Sequence, residues 1–392
     1  MPEKNLDFDR IIDRRNTKSI KYDLAAKRGM PEDILPLWVA DMDFQVSSYI
    51  QEALIRQTEH GIFGYSDVGE EYFEIVKGWM KRRHGWDVEA DWLVKTPGVV
   101  FALSLAVKAF TEPGDGVLIQ QPVYGPFKEV VEVNGRRTVS NTLVYKEHKY
   151  FMDFQDFEEK IVKEKIKLFI LCNPHNPVGR VWTEEELMRV GDICRKHHVI
   201  VVSDEIHGDF AFKGRHHVFA DLKKEYGEFT VTCTAPSKTF NLAGLQLSNI
   251  FISNPDLRKA FCRQLHITTY SEINVMGLVA CEAAYKDGDE WYQAMMKYVE
   301  GNIAFTKEYV EKNIPGVTMA EHEGTYLVWL DFRQLGMSRE ELEDVIVHKA
   351  RLWLNDGAIF GESGAGFQRV NVACPRKILE EALERMKKAL LA

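Results

Sequence analysis

Five short apolar runs recur through the middle of the chain: "GVLIQQP" (116–122), "IKLFILCNP" (166–174), "VIVVSDE" (199–205), "FTVTCTAP" (229–236) and "NIFISNP" (249–255). Each has strand length, and they mostly lack the apolar–polar alternation of a sheet with one wet face. Such strands are covered on both sides, as in a mainly parallel sheet. The stretches between them supply the cover. Residues 183–197, "TEEELMRVGDICRKH", carry a helical apolar stripe, a Thr N-cap and glutamates in the first turn. The fold expected is therefore α/β, with a large domain whose mainly parallel sheet is covered by helices.

The texture changes after about residue 288. Residues 288–316 read as one long helix stopped by Pro315 and Gly316. A strand at 325–332, a helix at 338–350, a strand near 367–373 and a last helix from Pro375 follow. This mixture predicts a smaller α+β domain. The expected division is an N-terminal segment at 1–50 that packs with the small domain, a large domain at 51–287 and the small domain at 288–392. A chain of 392 residues has room for such a division.

Several function classes are disfavoured. A net charge of -9 argues against a broad nucleic-acid surface, which needs clustered cations. No run of about 18 apolar residues predicts a membrane-spanning helix. The opening stretch "MPEKNLDFDRIIDRR" has no apolar core of a signal peptide, so the cytoplasm is the expected location. The 6 cysteines form no C-x-x-C pair, and the adjacent pairs His197–His198 and His216–His217 lack ligand spacing. Free thiols and no metal are expected.

In a parallel α/β sheet, ligands gather at the C-terminal ends of the strands. Three polar motifs stand there: "CNPHNPVG", "DEIHGDF" and "APSKTF". Lys238 lies in "APSKTFNLAGLQ" (235–246), a run without an acid. Either it is a solvated surface cation or it is a desolvated amine. Desolvation would lower its pKa and let it attack a carbonyl. Asp204 directly follows "VIVVS". It either caps a turn or pairs with a cationic ring nitrogen, which makes that ring an electron sink. His207, three residues on, would face the same side if the segment turns helically. Asn173 and Asn176, among prolines, can be structural or can present a fixed amide. In "TPGVV" (96–100) a strand ends and a helix begins, so the free N–H groups of Gly98, Val99 and Val100 make an anion site. Ser237 can add a hydroxyl. Arg369, in the apolar pattern "GFQRVNVA", needs an anion, either internal or a substrate carboxylate. The preceding "GESGAG" reads as a flexible loop. Tyr124, in "QPVYGPF", is either core or a plate for a flat ring. Together these residues suit pyridoxal 5′-phosphate (PLP) and an amino-acid substrate.

The order "NPHNPVG", "SDEIHGDF", "SKTFNLAGL" and a late Arg resembles the aspartate aminotransferase superfamily of PLP enzymes, fold type I. With "LPLWVADMDF" (35–44), "TPGVV" and "QPVYGPF", the chain closely resembles the MalY/PatB group of cystathionine β-lyases, from about residue 8 to the end. The resemblance implies a seven-stranded sheet and the following roles. Lys238 is the Schiff-base lysine and Asp204 the partner of the pyridine nitrogen. Asn176 meets the ring hydroxyl oxygen and Tyr124 stacks on the ring. Val99, Val100 and Ser237 hold the phosphate, and His207 also belongs to the cofactor site. Arg369, with Asn176, binds the substrate. Tyr65, in "FGYSD", matches a tyrosine that reaches the neighbouring subunit's site, which implies a homodimer and a catalytic or substrate-binding role there. The chain departs from the aminotransferase pattern twice. His207 stands where a tyrosine is common, and Gln246 stands where an arginine often meets the phosphate.

The expected activity is α,β-elimination from cystathionine or a cysteine-type substrate, releasing a thiol, pyruvate and ammonia. An L-amino-acid aminotransferase is the alternative, because the first steps are shared. A lyase with an added protein-contact regulatory role is a further one.

Overall fold

The computed structural model describes residues 3–392. Strands β1 (Leu93–Thr96), β2 (Gly116–Ile119), β3 (Arg137–Ser140), β4 (Leu168–Cys172), β5 (Ile200–Asp204), β6 (Thr230–Thr234) and β7 (Ser248–Phe251) form one sheet, ordered β1-β7-β6-β5-β4-β2-β3. All five apolar runs become its strands. Pairing is parallel from β3 through β6, whereas β7 runs antiparallel to both β6 and β1. The link 235–247 carries only short helical turns, at Pro236–Thr239 and Ala243–Leu245. A parallel return needs a longer crossover, so the chain folds back instead. β3 was not legible as a strand: "RTVS" is polar and sits at the sheet edge.

Both faces of the sheet are buried, as the missing alternation demands. Helices α1 (Glu70–His84) and α2 (Val99–Phe110) flank β1 in the chain. Leu168, Ile170 and Cys172 of β4 join Ala102, Leu103 and Ala106 of α2 in one core. Phe169 and Leu171 point the other way, into a core with Leu187 and Val190 of α3 (Glu184–Lys196). The Thr183–Glu186 capping box starts α3 at the expected residue.

Helix α4 (Asp289–Asn313) ends just before Pro315. Beyond it β8 (Thr318–Met319), β9 (Leu327–Asp331), β10 (Asn355–Asp356) and β11 (Phe367–Asn371) form an antiparallel sheet ordered β8-β9-β11-β10. The helix expected at 338–350 is α-helical over Arg339–Glu343 and then widens to a π-helix over Asp344–Lys349.

The N-terminal segment runs as a strap along this second sheet. Leu35–Pro36 pairs in parallel with Leu352–Trp353, and Trp38 stacks on Trp353 at 4.3 Å. Asn371 Nδ2 donates to the carbonyls of Val39 and Asp41, both at 2.6 Å. The strap then meets the loop after Lys238, where the Asn241 amide exchanges hydrogen bonds with the Met42 backbone. Arg14 and the fully buried Lys21 pair with Asp43 at 2.7 Å each, and Arg14 pairs with Asp41 at 2.6 Å. Lys21 and Asp43 are thus removed from water as a neutralising pair, the condition for burying them, with the half-buried Arg14 and Asp41 completing the network.

Candidate active site

A cavity of about 190 Å³ lies beyond the C-terminal ends of β4, β5 and β6. Val99, Val100, Tyr124, Asn176, Asp204, His207, Ser237 and Lys238 line it, together with Gly98 and Gln246. A larger cleft of about 710 Å³ adjoins it, sharing Ala40, Lys238, Ala243 and Gln246. Eight of the residues singled out for chemistry therefore meet. Arg369 stands one hydrogen bond behind the wall. Tyr65 is not brought to this cavity and is 98% exposed.

Lys238 sits on the single helical turn Pro236–Thr239. Its Nζ donates to the Ala40 carbonyl at 2.7 Å. Burial pulls its pKa down to about 8, with the Arg369 charge adding to the shift while Asp41 and Asp204 oppose it. Asp204 closes β5. Its Oδ1 accepts from the Ile206 amide at 3.1 Å, and no ion pair reaches it among the described residues. Burial pushes its carboxyl up to about 7, although the Ile206 amide and Lys238 pull the other way. The segment after Asp204 does turn, with the Gly208 amide on the Glu205 carbonyl at 2.8 Å. That turn puts His207 beside Asp204 in the cavity wall. Burial, Lys238 and Arg369 hold the imidazole well below its ordinary pKa, so it is neutral, and its buried Nδ1 has no hydrogen-bond partner.

Arg369 is buried in β11 with no carboxylate beside it. Nη1 donates to Asn176 Oδ1 at 3.0 Å and Nη2 to the Trp38 carbonyl at 2.8 Å and to Asn355, while Nε has no partner. Burial lowers its pKa to about 10. Its bond to Asn176 also fixes that amide: the oxygen is committed to the guanidinium, leaving Nδ2 as a donor. The Tyr124 amide donates to the Asn176 carbonyl at 3.1 Å, which ties the ring to the same loop. Asn173 lies outside the cavity, and its Nδ2 holds the His217 carbonyl at 2.9 Å.

Helix α2 begins at Gly98 with no side-chain cap, so its first N–H groups are free beside the cavity. Among the described lining residues Lys238 is the only cation, and Gln246 adopts the left-handed conformation with φ 52°. Sequence reasoning assigned no role to Ala40, Trp38 or Asn355. The first two act through backbone carbonyls, which leave no side-chain signature. Asn355 is found only through the β10–β11 register, which sets it opposite Arg369.

The chain matches the family model of aminotransferase class I and II over residues 32–386. It is 43% identical to cystathionine β-lyase PatB of Bacillus subtilis (strain 168), covering 98% of this chain and 100% of that protein. The structure of cystalysin from Treponema denticola, which contains a PLP cofactor, superposes with a TM-score of 0.95 at 40% identity, covering 98% of each chain. That of the PLP-bound C-S lyase from Staphylococcus hominis does so at 0.92 and 34%, covering 99% of each. A cavity that gathers an amine, a carboxylate and a bare helix N-terminus at one sheet end, on a chain aligned with these relatives over nearly its whole length, places the protein in the aminotransferase class I and II family.

Proposed function

We propose that the protein is a PLP-dependent carbon–sulfur β-lyase acting on cystathionine or another S-substituted cysteine. The observation that carries this reading is the meeting of Lys238, an amine poised near neutrality, with Asp204, a buried carboxylate without a cation, in one cavity. The names of the relatives support elimination as the reaction.

The residues fit the cofactor. Lys238 would hold its aldehyde carbon. Asp204 would keep a proton on the ring nitrogen and recover the partner it lacks. Asn176 Nδ2 would donate to the ring oxygen, and the Tyr124 ring would cover one face. The free N–H groups of α2 and the Ser237 hydroxyl would take the phosphate. The bound cofactor supplies an electron-withdrawing ring that accepts the charge left when a substrate proton departs.

The protein's side chains then divide the work. Arg369 takes the substrate α-carboxylate, exchanging the Asn355 amide and the Trp38 carbonyl for an anion and keeping its bond to Asn176. Lys238, once free, takes the proton from Cα. Loss of the thiolate from Cβ follows, and hydrolysis of the remaining fragment yields pyruvate and ammonia. Arg369→Ala should raise KM about a hundredfold, from the loss of a buried charge pair, while leaving covalent attachment of the cofactor intact. Steady-state kinetics and the visible spectrum read the two effects separately.

We also infer a cytoplasmic homodimer. Tyr65 stands 98% exposed beside the exposed Ile62 and Phe63, an apolar stretch suited to cover by a second copy. From there Tyr65 would serve the partner's site.

Two measurements test the assignment. Borohydride reduction of the PLP-loaded protein should label Lys238 and no other lysine. Incubation with cystathionine and no keto acid should release pyruvate and free thiol over many turnovers. A single stoichiometric conversion to pyridoxamine phosphate would instead make it an aminotransferase.

A further inference from the structure

Behind the cavity lies a second set of buried ionisable groups that the reaction does not use. Asp204 and Lys238 face the cavity, but their neighbours Glu205 and Thr239 face away from it, into the protein. Glu205 Oε1 accepts from the Ser203 hydroxyl at 2.8 Å and the Phe219 amide at 3.0 Å, and Oε2 meets His216 Nε2 at 2.9 Å. Thr239 Oγ1 donates to Asp209 Oδ2 at 2.6 Å. Asp209 Oδ1 lies 3.1 Å from Nε2 of His84, the last residue of α1. The contact with His84 holds the Asp209 carboxyl below its usual range against the effect of burial.

Glu205 and His216 form a hydrogen-bonded carboxylate–imidazole pair; Asp209 and His84 form a second close contact in which Asp209 Oδ1 has no hydrogen-bond partner among the described residues, and the two sets touch each other. The rings of His84 and His216 meet edge to face at 5.2 Å. Packing around them is tight: a Cβ added at Gly208 would come within 3.0 Å of His216 Nε2. The groups do not converge on a metal site among the described residues.

The geometry matters because the turn carrying Lys238 is short. A four-residue helical turn has little stability of its own. Backbone bonds from Phe240 to Pro236 and from Leu242 to Ser237 close it on the C-terminal side, and Asn241 Nδ2 ties the following loop to the Met42 and Phe44 carbonyls. The buried Thr239 hydroxyl, on the residue next to Lys238, adds a side-chain anchor that ties the turn to Asp209 from behind. We infer that Asp209 and Glu205, each backed by an imidazole, are positioning residues that fix how Lys238 and Asp204 enter the cavity. Asp209 acts on Lys238 through Thr239. Glu205 acts on Asp204 by pinning the next residue of the chain.

This inference rests on Lys238 being the cofactor lysine, and the test keeps the two ideas apart. The rate at which the cofactor-free protein captures PLP, and the pH midpoint of the resulting visible band, are measured for wild type, Thr239→Val and Thr239→Ser. Val keeps the shape of Thr but not its hydroxyl, and Ser keeps the hydroxyl. Capture should slow about tenfold in Thr239→Val with a displaced pH midpoint, as expected when a reacting group is slightly misplaced. Thr239→Ser should restore both. Asp209→Asn reads the same quantities should the valine variant not fold. Wild-type rate and midpoint in Thr239→Val, or in Asp209→Asn where it stands in, overturn the inference. No capture at Lys238 by the wild type overturns the functional reading itself, and this inference with it.

Discussion

Lys238→Ala should bind PLP without forming the visible band of lysine-bound cofactor, and its turnover should fall by at least about a thousandfold. The loss is large because one amine serves both as covalent holder and as proton carrier. The fold should survive. The side chain leaves one hydrogen bond, to the Ala40 carbonyl, which Tyr326 Oη also donates to at 2.9 Å. Wild type should also show a definite pH dependence of capture. Its amine titrates at about 8, so capture accelerates as pH rises toward that value and levels off above it. Stopped-flow absorbance across pH 6–10 (about two units either side) checks this. A flat profile would contradict the desolvated amine.

Asp204→Asn separates stability from catalysis. In the cofactor-free protein the Asp204 carboxyl titrates at about 7, well above its value in an unfolded chain. Such a group favours the folded state only while protonated. The penalty is small near pH 4, grows as pH rises and is complete above about 7. The cofactor-free Asn variant should therefore be more stable than wild type at pH 8, by a few kcal/mol at most. That advantage should shrink toward pH 5. Turnover should move the other way, falling about 10²–10³-fold once the charge on the ring nitrogen has no counterion. Thermal unfolding at the two pH values and initial rates on cystathionine read each arm. Equal melting temperatures at pH 8 would mean that Asp204 is already compensated without the cofactor.

How legible was this in the sequence? The sheet was, because both its faces are buried and its strands therefore read as apolar runs. The direction of β7 was not, since strand composition carries no arrow and only the short link 235–247 betrays it. The cavity residues were legible by position: Asp204 closes a strand, and Asn176 and Lys238 each follow one. Arg369 was visible as a charge in an apolar strand, but its contacts with Trp38 and Asn176 were not, because they come from 331 and 193 residues away. The pairs around Glu205 and Asp209 escaped for a related reason. His216 and His84 are far apart in the chain, and nothing in "DEIHGDF" shows which acid faces the cavity and which faces the core.

The Ala40 carbonyl accepts from Lys238 on one side and from Tyr326 on the other, and the strap that carries it is sewn to β11 by Asn371. The second sheet and the reactive amine therefore share a mechanical linkage only a few atoms long. The strap is also tied to the loop after Lys238 through Asn241, so the carbonyl that holds the amine is clamped from both sheets at once.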